Sequence, residues 1–521
     1  MSNAIVKNLN FGSDAKNNVF AGITKLTQAV SSTLGASGKC VMLEDSTGKP
    51  IITKDGVTVA EAITLLDPVE NMGATLLKEA ARKTVKEAGD GTTTATVLAH
   101  AILEEAYKVI DKLNSRDLKN GINKATKNVL KYLENISIPV KEKMIDQVAT
   151  ISTNNDSKLG KIIAESFRAV GDHGVVMMES NDLPETTFDI IDGVQYEQGL
   201  KNIHFVTNKE TNTAELSDPL VLLVESKIEN IRKIQNVLEY VIKNNKSLLI
   251  IGDTDQQVLS ALAMNKIKGN IKVNLIDAPH YGIYKKEILD DLSLLTGATI
   301  INEDLGDDID LIDIDQLGQC KKSVSTESET ILQVGSLSNK VKDLIKEIEG
   351  KIKKTKNPSL IQKYEGRLAR LSGKVAIVKV GANSEVELQE KKDRVEDAIC
   401  ATKAAIKEGI VPGGGIALLN AAQNITKPSL AENVLLQAIK QPFKTILNNA
   451  GIEEYDVEDL HVEGEGLDVV TGNMVNMIES GIIDPLLVTK SALRNAASVA
   501  TTILSTDCVI NNLRINEGNR E

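Results

Sequence analysis

Gly89-Asp90-Gly91-Thr92-Thr93-Thr94-Ala95-Thr96 sets two glycines around an aspartate and three threonines at the mouth of an apolar run, Ala95 to Leu103. Glycine lets backbone N–H groups turn toward a ligand and approach it closely. A helix starting at the threonines presents unpaired donors and a partial positive charge at its N-terminus. Together these form a phosphate seat. The Thr hydroxyls add donors, and Asp90 offers a hard oxygen ligand for the Mg²⁺ that accompanies nucleotide phosphates. A lone Asp-Gly-Thr reads equally well as a threonine cap on an ordinary helix. The whole octamer favours nucleotide. It is not a Walker site, because the nearest GxxxxGK[ST] candidate, Gly35-Ala36-Ser37-Gly38-Lys39-Cys40, has the wrong spacing and ends in Cys.

The rest of the composition narrows the setting. The chain has 521 residues, 42% hydrophobic, enough for two to four domains with real cores. Aromatics are 3% with no Trp, so those cores rest on Leu, Ile, Val and Ala. The net charge of −12 disfavours nucleic acid as a partner through the overall field. Cys40, Cys320, Cys400 and Cys508 lie far apart without a CxxC pair, which suggests neither a disulfide scaffold nor a zinc site and fits a reducing compartment. The N-terminal MSNAIVKNLNFGSDAK has no hydrophobic signal core, and no apolar run approaches the length of a membrane span. A cytoplasmic protein without membrane contact is expected.

Two kinds of pattern alternate along the chain. Asp14 to Ile138 is helical, with a break between Gly35 and Asp67 that holds two strand-like runs, Cys40 to Leu43 and Pro50 to Thr53. Pro139 with Lys141-Glu142-Lys143 marks a boundary, and Asp146 to Val170 is again helical. After Gly193 strand-like runs (Leu220–Val224, Leu248–Ile251, Val273–Ile276) alternate with helical ones (Asn230–Lys243, Gln256–Lys268, Lys286–Leu295). That alternation predicts a parallel or mixed sheet flanked by helices, an α/β domain inserted into a helical one. Val341 to Arg370 reads as a charged helical hairpin turning at Lys356-Asn357-Pro358, and helical character resumes at Val395. The acidic run Asp307 to Asp315 lacks the Gly and terminal Glu of an EF-hand and reads as a solvated loop.

Several further glycine-turn and acidic segments accompany the octamer: Thr33-Leu34-Gly35, Thr53-Lys54-Asp55-Gly56, Gly413-Gly414-Gly415 and Ile483-Asp484-Pro485. Each alone is a turn or helix cap. In this order, with ENMGA at 70–74, EKKDRVEDA at 390–398, EGIVPGGGIAL at 408–418 and NMIESGIIDP at 476–485, they make the chain resemble a group I chaperonin of the GroEL family along essentially its full length.

The resemblance implies a multi-domain α and α/β chaperonin fold. A mostly helical equatorial ATPase domain would come from residues 1–137 and 409–521. A small intermediate hinge domain would come from 138–192 and 374–408, and an apical α/β substrate-binding domain from 193–373. By matched position, ATP would be held by Thr33, Leu34, Gly35, Lys54, Asp90, Gly91, Thr92, Thr93, Thr94, Gly414, Asp468 and Asp484. Asp90 would hold Mg²⁺, and backbone carbonyls near Thr33 and Lys54 would coordinate K⁺. Asp55 and Asp397 would be the hydrolytic carboxylates. Without the family, Asp397 beside Arg394 reads as a surface helix position.

The resemblance further implies a ring of identical chains, seven-membered and single or double, that captures unfolded polypeptides and works with a GroES-type lid. The apical surface would be Leu200, His204, Phe205, Gln235, Leu238, Leu259, Ala263 and Met264. Here the chain departs from its relatives, which carry tyrosines at Leu200 and His204 and leucine at Gln235. Leu200 and Phe205 are expected at the surface on the family's placement, while Leu259 reads as surface or core. Gly373-Lys374 stands where relatives have two glycines, and a Lys forced to positive φ would stiffen that hinge. Ile110 to Leu113 and Gly451 to Gly466, which meet across rings in relatives, also differ. An ATP-dependent folding chamber is the leading reading. A chaperonin-like ATP-binding scaffold with altered or lost folding activity is the alternative, and a small-molecule kinase would need an acceptor pocket that nothing in the sequence indicates.

Overall fold

The computed structural model describes residues 7–44, 48–153, 156–171, 174–181, 183–196, 198–209, 211–278, 283–335, 338–354, 364, 367–368, 371, 373–452, 455 and 462–512. The chain divides into two compact units, one of Met1–Ala164, Ser180–Thr187 and Val380–Glu521, the other of Glu165–Glu179 and Phe188–Lys379. The segments expected to form the hinge, 138–192 and 374–408, are therefore shared between the two.

The first unit is a layered helical body. Asp67 accepts hydrogen bonds from the backbone N–H of Val69 and Glu70, and with Pro68 in the first turn it starts helix Pro68–Ala88. Asn114 starts Ser115–Ile136 in the same way, and Ser429 with Glu432 closes a capping box on Leu430–Ala438. These helices, with Gly12–Ser31, Thr92–Tyr107 and Leu486–Leu504, bury a single aliphatic core that includes Ile23, Leu26, Leu77, Leu98, Ile102, Ile122, Leu435 and Leu493. The scarcity of aromatics is met as expected by small and branched side chains. Helix Thr92–Tyr107 lies at the centre, its buried face continuous with that of Leu486–Leu504.

The strand-like runs near 40 and 50 form an antiparallel hairpin, Val41–Glu44 with Pro50–Thr53. The sequence pattern did not reveal a second two-stranded sheet, Lys7–Phe11 against Cys508–Asn512, with Leu9 opposite Ile510. Both strands are short and mix asparagine with apolar residues, so alternation over so few positions carries little signal.

The second unit carries the expected parallel strands. Leu220–Val224 pairs in parallel with Ser247–Ile251, which pairs with Lys272–Ile276; Ile300–Ile301 joins the other side of Leu220–Val224, and Gly318–Gln319 adds an antiparallel partner. A second, six-stranded sheet runs in the order Val175–Ser180, Lys374–Val380, Thr187–Tyr196, Thr330–Gly335, Lys322–Ser325, Ala214–Ser217. Lys374 opens one of these strands and is not among the described residues with positive φ. The expected cost of a lysine there is absent, because strand geometry suits any side chain. Helix Asn339–Lys354 forms the first limb of the charged hairpin, and the turn at 356–358 lies outside the described residues. Arg367 on the return limb pairs with the fully buried Asp291 at 2.8 Å.

Candidate nucleotide site

The octamer is built by two left-handed glycines. Gly89 (φ 74°) ends helix Pro68–Ala88, and Gly91 (φ 93°) starts helix Thr92–Tyr107. A Cβ on Gly91 would stand 2.7 Å from Val488 Cγ1, so both conformation and space demand glycine. The turn hands the chain directly into a helix N-terminus with no side-chain cap, leaving its first N–H groups available to an anion. Asp90 sits between the glycines, half-buried, its carboxylate accepting from the Gly91 N–H.

Five other segments of the same unit converge on this turn. The Thr33 hydroxyl lies 3.3 Å from that of Thr93. Asp55 starts helix Gly56–Ala62: its carboxylate accepts from the N–H of Val57 (3.0 Å) and Thr58 (2.7 Å) and from the Thr58 hydroxyl (2.7 Å). Ile410–Pro412 pairs antiparallel with Ile483–Pro485, setting Val411 opposite Asp484, and Gly414 donates its N–H to the Asp484 carboxylate. Gly415 (φ 82°) then starts helix Ile416–Asn424, its Cα so close to Phe443 that a Cβ would lie 2.8 Å from the Phe443 nitrogen. Asp397 comes from the long helix Glu385–Glu408.

The result is a cavity of about 390 Å³. Its lining takes in Thr33, Leu34, Gly35, Lys54 and Asp55, the turn and helix start Asp90, Gly91, Thr92, Thr93 and Thr94, and Gly414, Asp468, Asp484 and Asp397. The volume falls within the range of small-molecule sites. The chain also supplies residues that the sequence reading did not single out. Ile151 and Ser152 enter from helix Glu142–Ser152, and Pro412, Phe443, Met477 and Ile482 provide an apolar side. Asp468 is turned toward its own loop, accepting from the Val470 N–H and the Thr471 hydroxyl.

Electrostatically the cavity is short of positive charge. Burial raises the Asp90 pKa, the Gly91 N–H opposes it, and the negative charge of Asp55 adds to the rise. Asp397 is pushed well above the usual carboxylate range by burial, then by Asp90 and Asp55. Asp484 is pushed up to about 7 by burial and by Asp90, against the Gly414 N–H. One helical turn before Asp397, Asp393 is pushed up to about 6 by burial and by Asp55. That fourth neighbour was legible in principle, since 393 and 397 share a helix face. Among the described residues no three His, Cys, Asp or Glu side chains stand close enough to hold a metal by themselves. This donor set fits Mg²⁺, which takes one or two carboxylates and completes its shell with phosphate oxygens and water.

The apical residues divide differently from expectation. Phe205 is fully buried in the core with Leu222, Ile234 and Val237, which corrects its expected surface placement. Asn202 caps the single turn Ile203–Phe205 by accepting from the His204 N–H; the turn sends Phe205 inward and leaves Ile203 72% exposed. Leu259 and Ala263 lie one helical turn apart on the inner face of helix Gln256–Ile267 and are buried, so the open choice for Leu259 resolves to core. Met264 and Ile267 form the exposed face of that helix. Leu200 and Leu238 are half-buried, and His204 and Gln235 are exposed, with Gln235 donating to Glu239. No helix among the described residues is long and apolar enough to cross a membrane.

The sequence profile of the TCP-1/cpn60 chaperonin family matches residues 26–514. The fold is similar to that of the chaperonin gp146 from the bacteriophage EL 2 (Pseudomonas aeruginosa), crystallised in the presence of ATP-BeFx. Against crystal form II the TM-score is 0.73 at 22% identity, covering 97% of this chain and 99% of that one. Against crystal form I the TM-score is 0.65 at 21% identity, with the same coverage.

Proposed function

The chain belongs to the TCP-1/cpn60 chaperonin family, and from that premise we propose that it is an ATP-driven ring chaperone that captures non-native polypeptides and encloses them for folding. One observation carries the proposal: all fourteen residues singled out for nucleotide and hydrolysis line one cavity. In this reading the helix N-terminus at Thr92–Thr94 and the Gly91 turn receive the phosphates. Asp90 holds Mg²⁺, whose role is to neutralise phosphate charge, and carbonyls at Thr33 and Lys54 take K⁺. The Gly414 and Asp484 side, with the neighbouring Met477 and Ile482, receives the nucleoside, and Asp468 contributes from the rim.

Hydrolysis needs charge neutralisation and a positioned water more than covalent help. Asp397 orients that water and accepts its proton as the oxygen attacks the γ-phosphorus and the β–γ bond breaks. Burial and the neighbouring Asp90 and Asp55 raise its pKa, which makes the ionised carboxylate a stronger base, and general-base help is typically worth roughly 10²–10⁴-fold. Asp55, close enough to raise the Asp397 pKa, assists while capping its helix. We assign the equatorial, intermediate and apical domains the boundaries given above. Placing Asp397 on the intermediate helix couples hydrolysis to closure of that domain.

Client capture falls to exposed Ile203, Met264 and Ile267, with half-buried Leu200 and Leu238. All four cysteines are free thiols, in keeping with a cytoplasmic location. Exposed apolar residues on two of the two-stranded sheets of the first unit, Phe11 and Met42 among them, support assembly with further copies of the chain, a ring we take as seven-membered, single or double, and closed by a GroES-type lid.

The burial of Phe205, Leu259 and Ala263 favours one second reading, a chaperonin-like scaffold with reduced client capture. Refolding of a chemically denatured enzyme separates the two. A gain in recovery that requires ATP is expected; no gain with ATP, with or without a lid protein, would leave the scaffold.

A further inference from the structure

The loop from Glu303 to Gln316 carries seven carboxylates (Glu303, Asp304, Asp307, Asp308, Asp310, Asp313, Asp315) and no Lys, Arg or His. It is ordered rather than loose, being wound into three single turns of 3-10 helix. Asn302, Asp308 and Asp313 cap those turns, the last in a capping box with Gln316. Ile309 and Ile312 are buried beneath it. Lys233 pairs with Glu303 at 2.7 Å, and the Asn236 amide donates to the Asp310 carbonyl at 3.0 Å, tying the loop to the helical segment that carries Leu238. On this fixed frame Leu305 and Leu311 are each 73% exposed and Ile314 is 40% exposed.

Single exposed leucines are normal. Three aliphatic side chains held outward on one capped loop, interleaved with carboxylates, form a surface of defined chemistry. We propose that the outer face of this loop docks a basic amphipathic polypeptide segment, one in which Lys or Arg alternates with aliphatic residues. Its aliphatics would cover Leu305, Leu311 and Ile314 while its cations meet the surrounding carboxylates. The competing occupants fit poorly. Nucleic acid and anionic lipid are repelled by the same charge. A metal ion finds no convergent triad among the described residues. A second copy of the chain brings a net charge of −12 of its own. Electrostatic complementarity of this kind acts chiefly on encounter rate and partner choice, so the loop selects for basic clients. The surface is remote in sequence from every nucleotide-site residue, so the inference stands or falls apart from the ATPase reading.

The test uses the full-length protein without nucleotide and fluorescence anisotropy of a labelled peptide of alternating Lys and Leu, with its Glu/Leu counterpart as the charge control. Two variants probe the loop: Leu305→Ser with Leu311→Ser, and Asp304→Asn with Asp307→Asn and Asp310→Asn, which keeps every backbone hydrogen-bond acceptor. Each is expected to raise the Kd for the Lys/Leu peptide at least about fivefold, an effect of the size expected for losing a few contacts of this kind. Added salt is expected to weaken binding to the wild type more than to the asparagine variant. Ile190→Ser, at a 46% exposed position on strand Thr187–Tyr196, serves as the control elsewhere on the unit. Unchanged Kd values in both loop variants, or equal binding of the Glu/Leu peptide, would overturn the proposal. A change in assembly mass in the leucine variant would assign the surface to a second copy and overturn it equally.

Discussion

At Gly91 the proposed phosphate seat depends on one missing methyl group. With φ at 93° and Val488 Cγ1 2.7 Å from the position of a Cβ, Gly91→Ala is expected to lose on the order of 1–2 kcal/mol from backbone strain alone. Steric crowding adds to that. Thermal unfolding measures the loss, and calorimetry should show weaker nucleotide binding in the same variant. The aspartates make a second residue-scale prediction. Asp484 and Asp393 hold their protons up to about 7 and about 6, while an unfolded chain releases them near pH 4. Between those limits the folded state binds more protons, so stability falls as pH rises. The nucleotide-free protein should therefore melt at a lower temperature at pH 7.5 than at pH 5.5. In Asp484→Asn that difference should shrink; a slope unchanged by the substitution would contradict the cavity electrostatics.

Helix Gly56–Ala62 is short and hangs on its cap, and Asp55 serves both the helix and the cavity. The two roles separate by substitution. Asp55→Asn keeps a capping acceptor and should hold stability within a few tenths of a kcal/mol while hydrolysis drops. Asp55→Ala should lose about 0.5–2 kcal/mol as well. Equal melting of the two variants would show that the cap is unimportant. Elements also explain what could be read from the chain. The octamer, the parallel strands after Leu220 and the helices capped by Asp67 and Asn114 announce themselves through turn chemistry and periodicity, which are local. The cavity residues were legible because family motifs carry them. The inward Phe205 was not, because one Asn202-capped turn decides which of Ile203 and Phe205 faces the core, and neighbouring apolar residues look alike in sequence. The terminal sheet was hidden for a different reason: its two strands lie at opposite ends of the chain, and pairing at that distance leaves no local trace.

At the scale of the whole molecule, two of the two-stranded sheets of the first unit, Lys7–Phe11 with Cys508–Asn512 and Val41–Glu44 with Pro50–Thr53, leave apolar side chains uncovered, with Phe11 61% and Met42 69% exposed. Two-stranded sheets are marginal alone, and assembly would cover them. If the proposed ring uses these contacts, Phe11→Ser with Met42→Ser should shift native mass spectra from assemblies toward single chains; a mass unaffected by the double substitution would move the contact elsewhere. The central claim is that the aspartate-lined cavity hydrolyses ATP through Asp397. Phosphate release by the wild type and by Asp397→Ala, with nucleotide binding to both followed by calorimetry, addresses it most directly. The account predicts that the variant binds ATP and Mg²⁺ but releases phosphate roughly 10²–10⁴-fold more slowly. Turnover at the wild-type rate in Asp397→Ala would contradict it.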